Sequence, residues 1–113
     1  MDRIAKYREI IKRLLRERER RVQNVLPEKL EVRCFFDDER GQYALITVGW
    51  MQNRRISGNT LFITLRDEQV WIEDDRTDAP IAYDLIAEGI PAQNIVYAFR
   101  PPSESEQRET IAA

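Results

Sequence analysis

At Pro27 the spacing of apolar residues changes from helical steps to strict alternation, and this switch constrains the fold more than any other feature of the chain. Before it, Ile4, Tyr7, Ile11, Leu14 and Val22, flanked by Leu15, share one side of an amphipathic helix running from Asp2 to about Val22. Lys6, Arg13, Arg16 and Arg20 fall on the opposite side with Glu9. After it, Leu30 to Asp37 alternates as a strand, Asp37 to Gly41 reads as a turn, and Gln42 to Trp50 is rich in strand formers, so the pair predicts an antiparallel hairpin. A polar connection, Gln52 to Asn59, with Gly58 at a turn or bulge, leads to a second hairpin of Thr60 to Arg66 and Val70 to Glu73.

Thr77 or Asp78 is placed to cap a second helix bearing Ile81, Ala82, Leu85 and Ile86, with Pro80 tolerated early and Gly89 and Pro91 ending it. Ile95 to Phe99 reads as a short apolar strand or extended segment. The 113 residues suffice for one domain and leave no core for two. The expected fold is therefore α+β in two layers: an antiparallel meander of four to five strands, with both helices on one face. One domain over 1–102 and a weakly ordered polar tail over 103–113 are expected.

Strand alternation assigns Leu30, Val32, Cys34 and Phe36 to the helix-bearing face, with Ala44, Ile46, Val48 and Trp50, then Leu61, Ile63 and Leu65, as the matching aliphatic sets. The same phase sends Phe35, Tyr43, Leu45, Phe62 and Trp71 to the other face among Glu31, Arg33, Thr47 and Arg66. That face is too aromatic for open water, so another chain or the tail is expected to cover it. Trp50, Arg54 and Arg55, near the polar connection, join it as candidate interface residues, because Arg and Trp are enriched at the energetic centres of interfaces.

Much chemistry is excluded. The chain has no histidine, which removes Ser-His-Asp and Cys-His catalysis and the usual mixed zinc sites. No phosphate-binding glycine motif occurs. The acidic runs Asp37-Asp38-Glu39 and Glu73-Asp74-Asp75 are the candidates for a hard cation, but turns attract Asp for backbone reasons. All three lysines, Lys6, Lys12 and Lys29, precede the strands, unlike a metal-dependent nuclease centre. The single cysteine, Cys34, shares the phase of core residues and reads as an inert thiol. No catalytic residue, cofactor or small-molecule substrate is expected. No membrane-spanning run or secretory signal is visible either, which suits a cytoplasmic protein.

Residues Tyr43, Val48-Gly49-Trp50, Arg55-Ile56 and Gly58, then Trp71-Ile72, Thr77, Ala82, Leu85, Gly89-Ile90-Pro91, Asn94-Ile95-Val96, Phe99 and Pro101-Pro102, resemble the XisI family in order and spacing. The opening Tyr7-Arg8-Glu9-Ile10-Ile11 with Leu14-Leu15 fits as well, so the likeness spans about residues 1–102. Phe62 stands where the family often has histidine, Asp78 where Glu is common and Asn94 where Asp is usual. The resemblance implies a cyanobacterial accessory factor that, with a XisH-type partner and a site-specific recombinase, controls excision of a DNA element. The aromatic sheet face, together with that partner, points to action by protein contact, and a homodimer is expected.

The charge distribution supports an alternative. Residues 1–33 hold eleven Lys/Arg against six Asp/Glu, while the remainder holds seven against fourteen. The basic side of the first helix, with Lys6, Lys12, Arg13, Arg16 and Arg20, is the candidate nucleic-acid surface, although Glu9, Glu17 and Glu19 are interleaved with it.

Overall fold

A computed structural model describes residues 2–101, so the expected tail, 103–113, lies outside the described residues. Helix α1 spans Arg3–Val25 and starts where the Asp2 carboxylate accepts the Ala5 N–H. Tyr7, Ile10, Ile11, Leu14 and Leu15 form its buried stripe. Pro27 follows, and the chain turns into strands β1 (Leu30–Asp37), β2 (Gln42–Met51), β3 (Arg54–Arg66) and β4 (Gln69–Asp75). Helix α2 (Ile81–Ala87) then leads through a single 3-10 turn to strand β5 (Ile95–Tyr97).

The sheet order is β1-β2-β3-β4-β5. The first four strands form the expected antiparallel meander, but β5 runs parallel to β4, with Val70 beside Ile95 and Ile72 beside Tyr97. Parallel pairing requires a crossover, and α2 supplies it. Both helices lie on one face, where Leu45, Leu61, Ile63, Val70, Ile72, Ile81, Leu85 and Ile90 are fully or almost fully buried. Each such side chain contributes on the order of 1.5 to 3 kcal/mol before chain entropy is subtracted.

Strand β2 lies in the opposite phase to that expected. Tyr43 and Leu45 are fully buried beneath α1, whereas Ala44, Ile46 and Val48 are half-buried on the far face and Trp50 is exposed. The β1–β2 turn decides this. Asp37 pairs with Gln42, which sets Phe36 opposite Tyr43 and Cys34 opposite Leu45. A one-residue difference in register turns every side chain over, and aliphatic content alone does not fix that register.

The polar connection is also different from expectation. Instead of a loop over 52–59, β3 begins at Arg54, and only Gln52 and Asn53 form the turn, both at positive φ (51° and 63°) as a type I′ hairpin requires. Glu73-Asp74-Asp75 likewise belongs to β4 rather than to a turn. Register irregularities occur opposite Leu45/Ile46, where Thr60 is extra, and at Phe62/Ile63, where Glu73 is extra.

The start of α2 is held from outside the helix. Asp75 accepts the Thr77 N–H and hydroxyl through Oδ1 (2.9 and 2.6 Å) and the Ile81 N–H through Oδ2 (2.8 Å). Neither Thr77 nor Asp78 caps it, because Pro80 holds the N-cap position, three residues after Thr77 and two after Asp78.

Candidate functional site: the outer sheet face and the β2–β3 arm

On the face away from the helices, register places Phe35, Ala44 and Phe62 in one row across β1, β2 and β3. A second row holds Asp37, Gln42, Thr64, Trp71 and Val96, while Ile46 and Val48 extend the apolar strip along β2. Phe35 is 52% exposed and Phe62 half-buried. A shallow depression of about 330 Å³ lies at Phe35, Asp37, Gln42, Ala44 and Phe62. Ion pairs rim the strip: Glu31 with Arg33 at 2.8 Å, Asp37 with Arg40 at 2.9 Å, and Asp74 with Arg76 at 3.0 Å. An apolar centre inside a polar rim is the usual anatomy of a protein interface. Among the described residues no element covers this face.

Of the expected interface residues, Phe35, Phe62 and Trp71 are on this face. The Arg66 guanidinium lies 4.0 Å from the Trp71 ring centroid, and the indole N–H donates to the Arg66 carbonyl, so intramolecular contacts hold that side chain. Tyr43 and Leu45 are corrected to the core. Tyr43 carries a network that the sequence does not reveal: Arg8 Nε donates to the phenol oxygen (3.1 Å), the phenol donates to Asp38 (3.1 Å), and Lys12 donates to the other Asp38 oxygen (3.0 Å). Burial, reinforced by Asp38, pushes the phenol pKa up despite the opposing Arg8 guanidinium. The Lys12 ammonium holds the Asp38 carboxyl below its ordinary range.

Trp50, Arg54 and Arg55 are exposed at the end of a two-stranded arm. β1 stops pairing at Gly49 and β4 stops at Leu61, so among the described residues no third strand lies beside the hairpin from Trp50 to Arg55. At its root, Gly49 adopts φ 141°, and a Cβ there would stand 2.0 Å from the Lys29 carbonyl oxygen. Only glycine allows the loop before β1 to come this close. Gly58, expected at a turn or bulge, lies in open space within β3.

The basic side of α1 is partly neutralised. Lys12 pairs with Asp38, and Arg13 pairs with Glu17 (3.4 Å) and Glu88 (2.6 Å). The Arg16 guanidinium lies 5.0 Å from the Phe36 ring centroid, while Lys6 and Arg20 are exposed. In the acidic runs the four aspartates, Asp37, Asp38, Asp74 and Asp75, have partners in Arg40, Lys12, Arg76 and the Thr77 and Ile81 N–H groups, and among the described residues no group of three potential metal ligands converges. Cys34 Sγ sits 3.5 Å from the Leu15 carbonyl, and burial with the nearby Glu19 carboxylate pushes its pKa up from 9.0 to about 12, so the thiol is protonated at neutral pH. No helix among the described residues is long and apolar enough to cross a membrane.

The fold and surface define a small α+β protein with a mixed five-stranded sheet, helices on one face and a part-apolar strip on the other. The model of the XisI family, described as XisI protein, matches residues 1–111, and the chain belongs to that family. It is similar to the crystal structure of a XisI-like protein from Anabaena variabilis, with 28% identity, a TM-score of 0.82, and coverage of 93% of this chain and 94% of that one. It is also similar to the crystal structure of the fdxN element excision controlling factor XisI from Anabaena variabilis, at 28% identity and TM-score 0.77, covering 91% of this chain and 98% of that one. Comparison with curated proteins finds no match.

Proposed function

We propose that this protein is a non-catalytic accessory factor that controls excision of a DNA element by binding a XisH-type protein through its outer sheet face, with a site-specific recombinase performing the strand chemistry. The observation that carries this reading is the apolar strip around Phe35 and Phe62, left open by every described element and rimmed by ion pairs. Family membership supplies the biological setting, since a XisI relative of similar fold is described as an excision controlling factor. The protein works in the cytoplasm, where such a partner and the DNA are available.

The test is co-purification with a XisH-type protein from the same genome, using the intact chain and the double variant Phe35→Glu, Phe62→Glu. Both side chains lie on the outer face, so the variant keeps the helix-backed core. A stable complex with the native chain and none with the variant supports the proposal. Equal association of both sinks the face assignment, and no complex with the native chain sinks the partner. Sedimentation of the native chain and of the double variant, each alone, reports whether the same face joins two copies.

A further inference from the structure

The β2–β3 arm concentrates a chemistry different from that of the sheet face. Between Thr47 and Asn59 the sequence contains Arg54 and Arg55 but no Asp or Glu. The Trp50 N–H donates to the Lys29 carbonyl at 3.1 Å, fixing a third cation's backbone at the root of the arm. Among the described residues, Lys29, Arg54 and Arg55 make no ion pair. This differs from α1, where Lys12 and Arg13 already have carboxylate partners. The Arg55 guanidinium lies 5.8 Å from the Trp50 ring centroid and donates to the Gly49 carbonyl at 3.5 Å, which keeps the long side chain beside the indole while the residue stays exposed. At the tip, Gln52 and Asn53 are held at positive φ with exposed side chains, presenting amide groups ahead of the two arginines.

We propose that this arm is a DNA-binding element: a two-stranded ribbon that enters the major groove of duplex DNA, with Lys29, Arg54 and Arg55 on phosphates and the Gln52 and Asn53 amides facing base edges. The groove, about 12 Å wide, accommodates a two-stranded ribbon, and side-chain amides match the donor and acceptor pair of adenine. Without an ion-pair partner among the described residues and gathered at the arm and its root, these cations form a local polyanion-binding site although the whole chain carries a net charge of −2.

The test is fluorescence anisotropy of the full chain with a labelled duplex across a salt series. Three phosphate contacts give a slope of log K against log salt of about −3. The double variant Arg54→Gln, Arg55→Gln is expected to reduce that slope by about two. Arg54→Lys with Arg55→Lys should restore it, because phosphate neutralisation needs only the charge. Arg16→Gln with Arg20→Gln on α1 should leave it unchanged. No binding at low salt overturns the proposal, as does loss of binding only in the α1 variant. Displacement by polyglutamate as effective as by unlabelled duplex also overturns it, in favour of an acidic protein surface.

Discussion

Gly49 sits where three segments meet, and its missing side chain is what lets the loop before β1 lie against the root of the arm. Gly49→Ala would place a methyl group 2.0 Å from a backbone carbonyl at φ 141°, a conformation that L residues rarely adopt. The expected cost is about 3 kcal/mol or more, read as a lower urea midpoint, since neither the loop nor the strand can move without breaking the Lys29–Trp50 bond. Gly58→Ala, with no neighbour within 4 Å, should change the midpoint little. Both glycines are visible in the sequence, but only the tertiary approach of Lys29 distinguishes their roles. Tyr43 teaches the same lesson: its phase depends on a turn register, and its phenol finds Arg8 and Asp38 only after α1 has docked.

At the scale of elements, the β3–β4 hairpin turns through Asp67 and Glu68, both at positive φ without a glycine. Glu68→Gly would create the favoured Asp-Gly turn and should stabilise the protein by about 0.5 to 1 kcal/mol in chemical denaturation. The lost Arg3–Glu68 pair is 3.7 Å long and largely exposed, so it offsets little of this. Between α1 and α2 the balance is reversed. Arg18 is 6% exposed, donates to Asp84 at 2.8 Å and to Thr77 at 3.4 Å, and has its Nε buried without a partner among the described residues. Removing only the carboxylate strands a buried cation, so Asp84→Ala should cost about 1 to 3 kcal/mol, whereas Arg18→Met with Asp84→Ala should recover much of that loss. Strictly additive costs in the double-mutant cycle would show that the pair has no coupling. The helices themselves are legible from apolar spacing, but this clamp is not, because Arg18 and Asp84 lie far apart in sequence and each looks like a surface charge.

For the whole molecule, stability should decline at both ends of the pH scale. Cys34 and Tyr43 have raised pKa values because burial disfavours their charged forms, so the folded chain retains these protons longer than the unfolded chain. Their contribution is therefore complete below the unfolded values and is lost as pH rises; for Cys34 the window runs from 9.0 to about 12. Urea midpoints that fall through this window, less steeply in Cys34→Ala, would bear this out. Glu31, Asp37 and Asp38 are shifted the other way by Arg33, by the Arg40 backbone N–H and side chain, and by Lys12, respectively, so their contribution is lost as pH falls through the carboxylate range.

Local periodicity by itself determined that the chain makes one long helix, a four-stranded meander and a short second helix in an α+β domain, and the order of matching residues pointed to the XisI family. The elements are properties of near neighbours, and hydrophobic spacing reports them directly; the family rests on residue identities at matching positions. Tertiary structure alone decided which side of β2 faces α1, that Gln52-Asn53 extends a ribbon instead of opening a loop, that β5 runs parallel to β4, and which basic residues keep free charge. Register, docking and ion pairing join groups distant in the chain, and each depends on a geometry that exists only once the elements have packed.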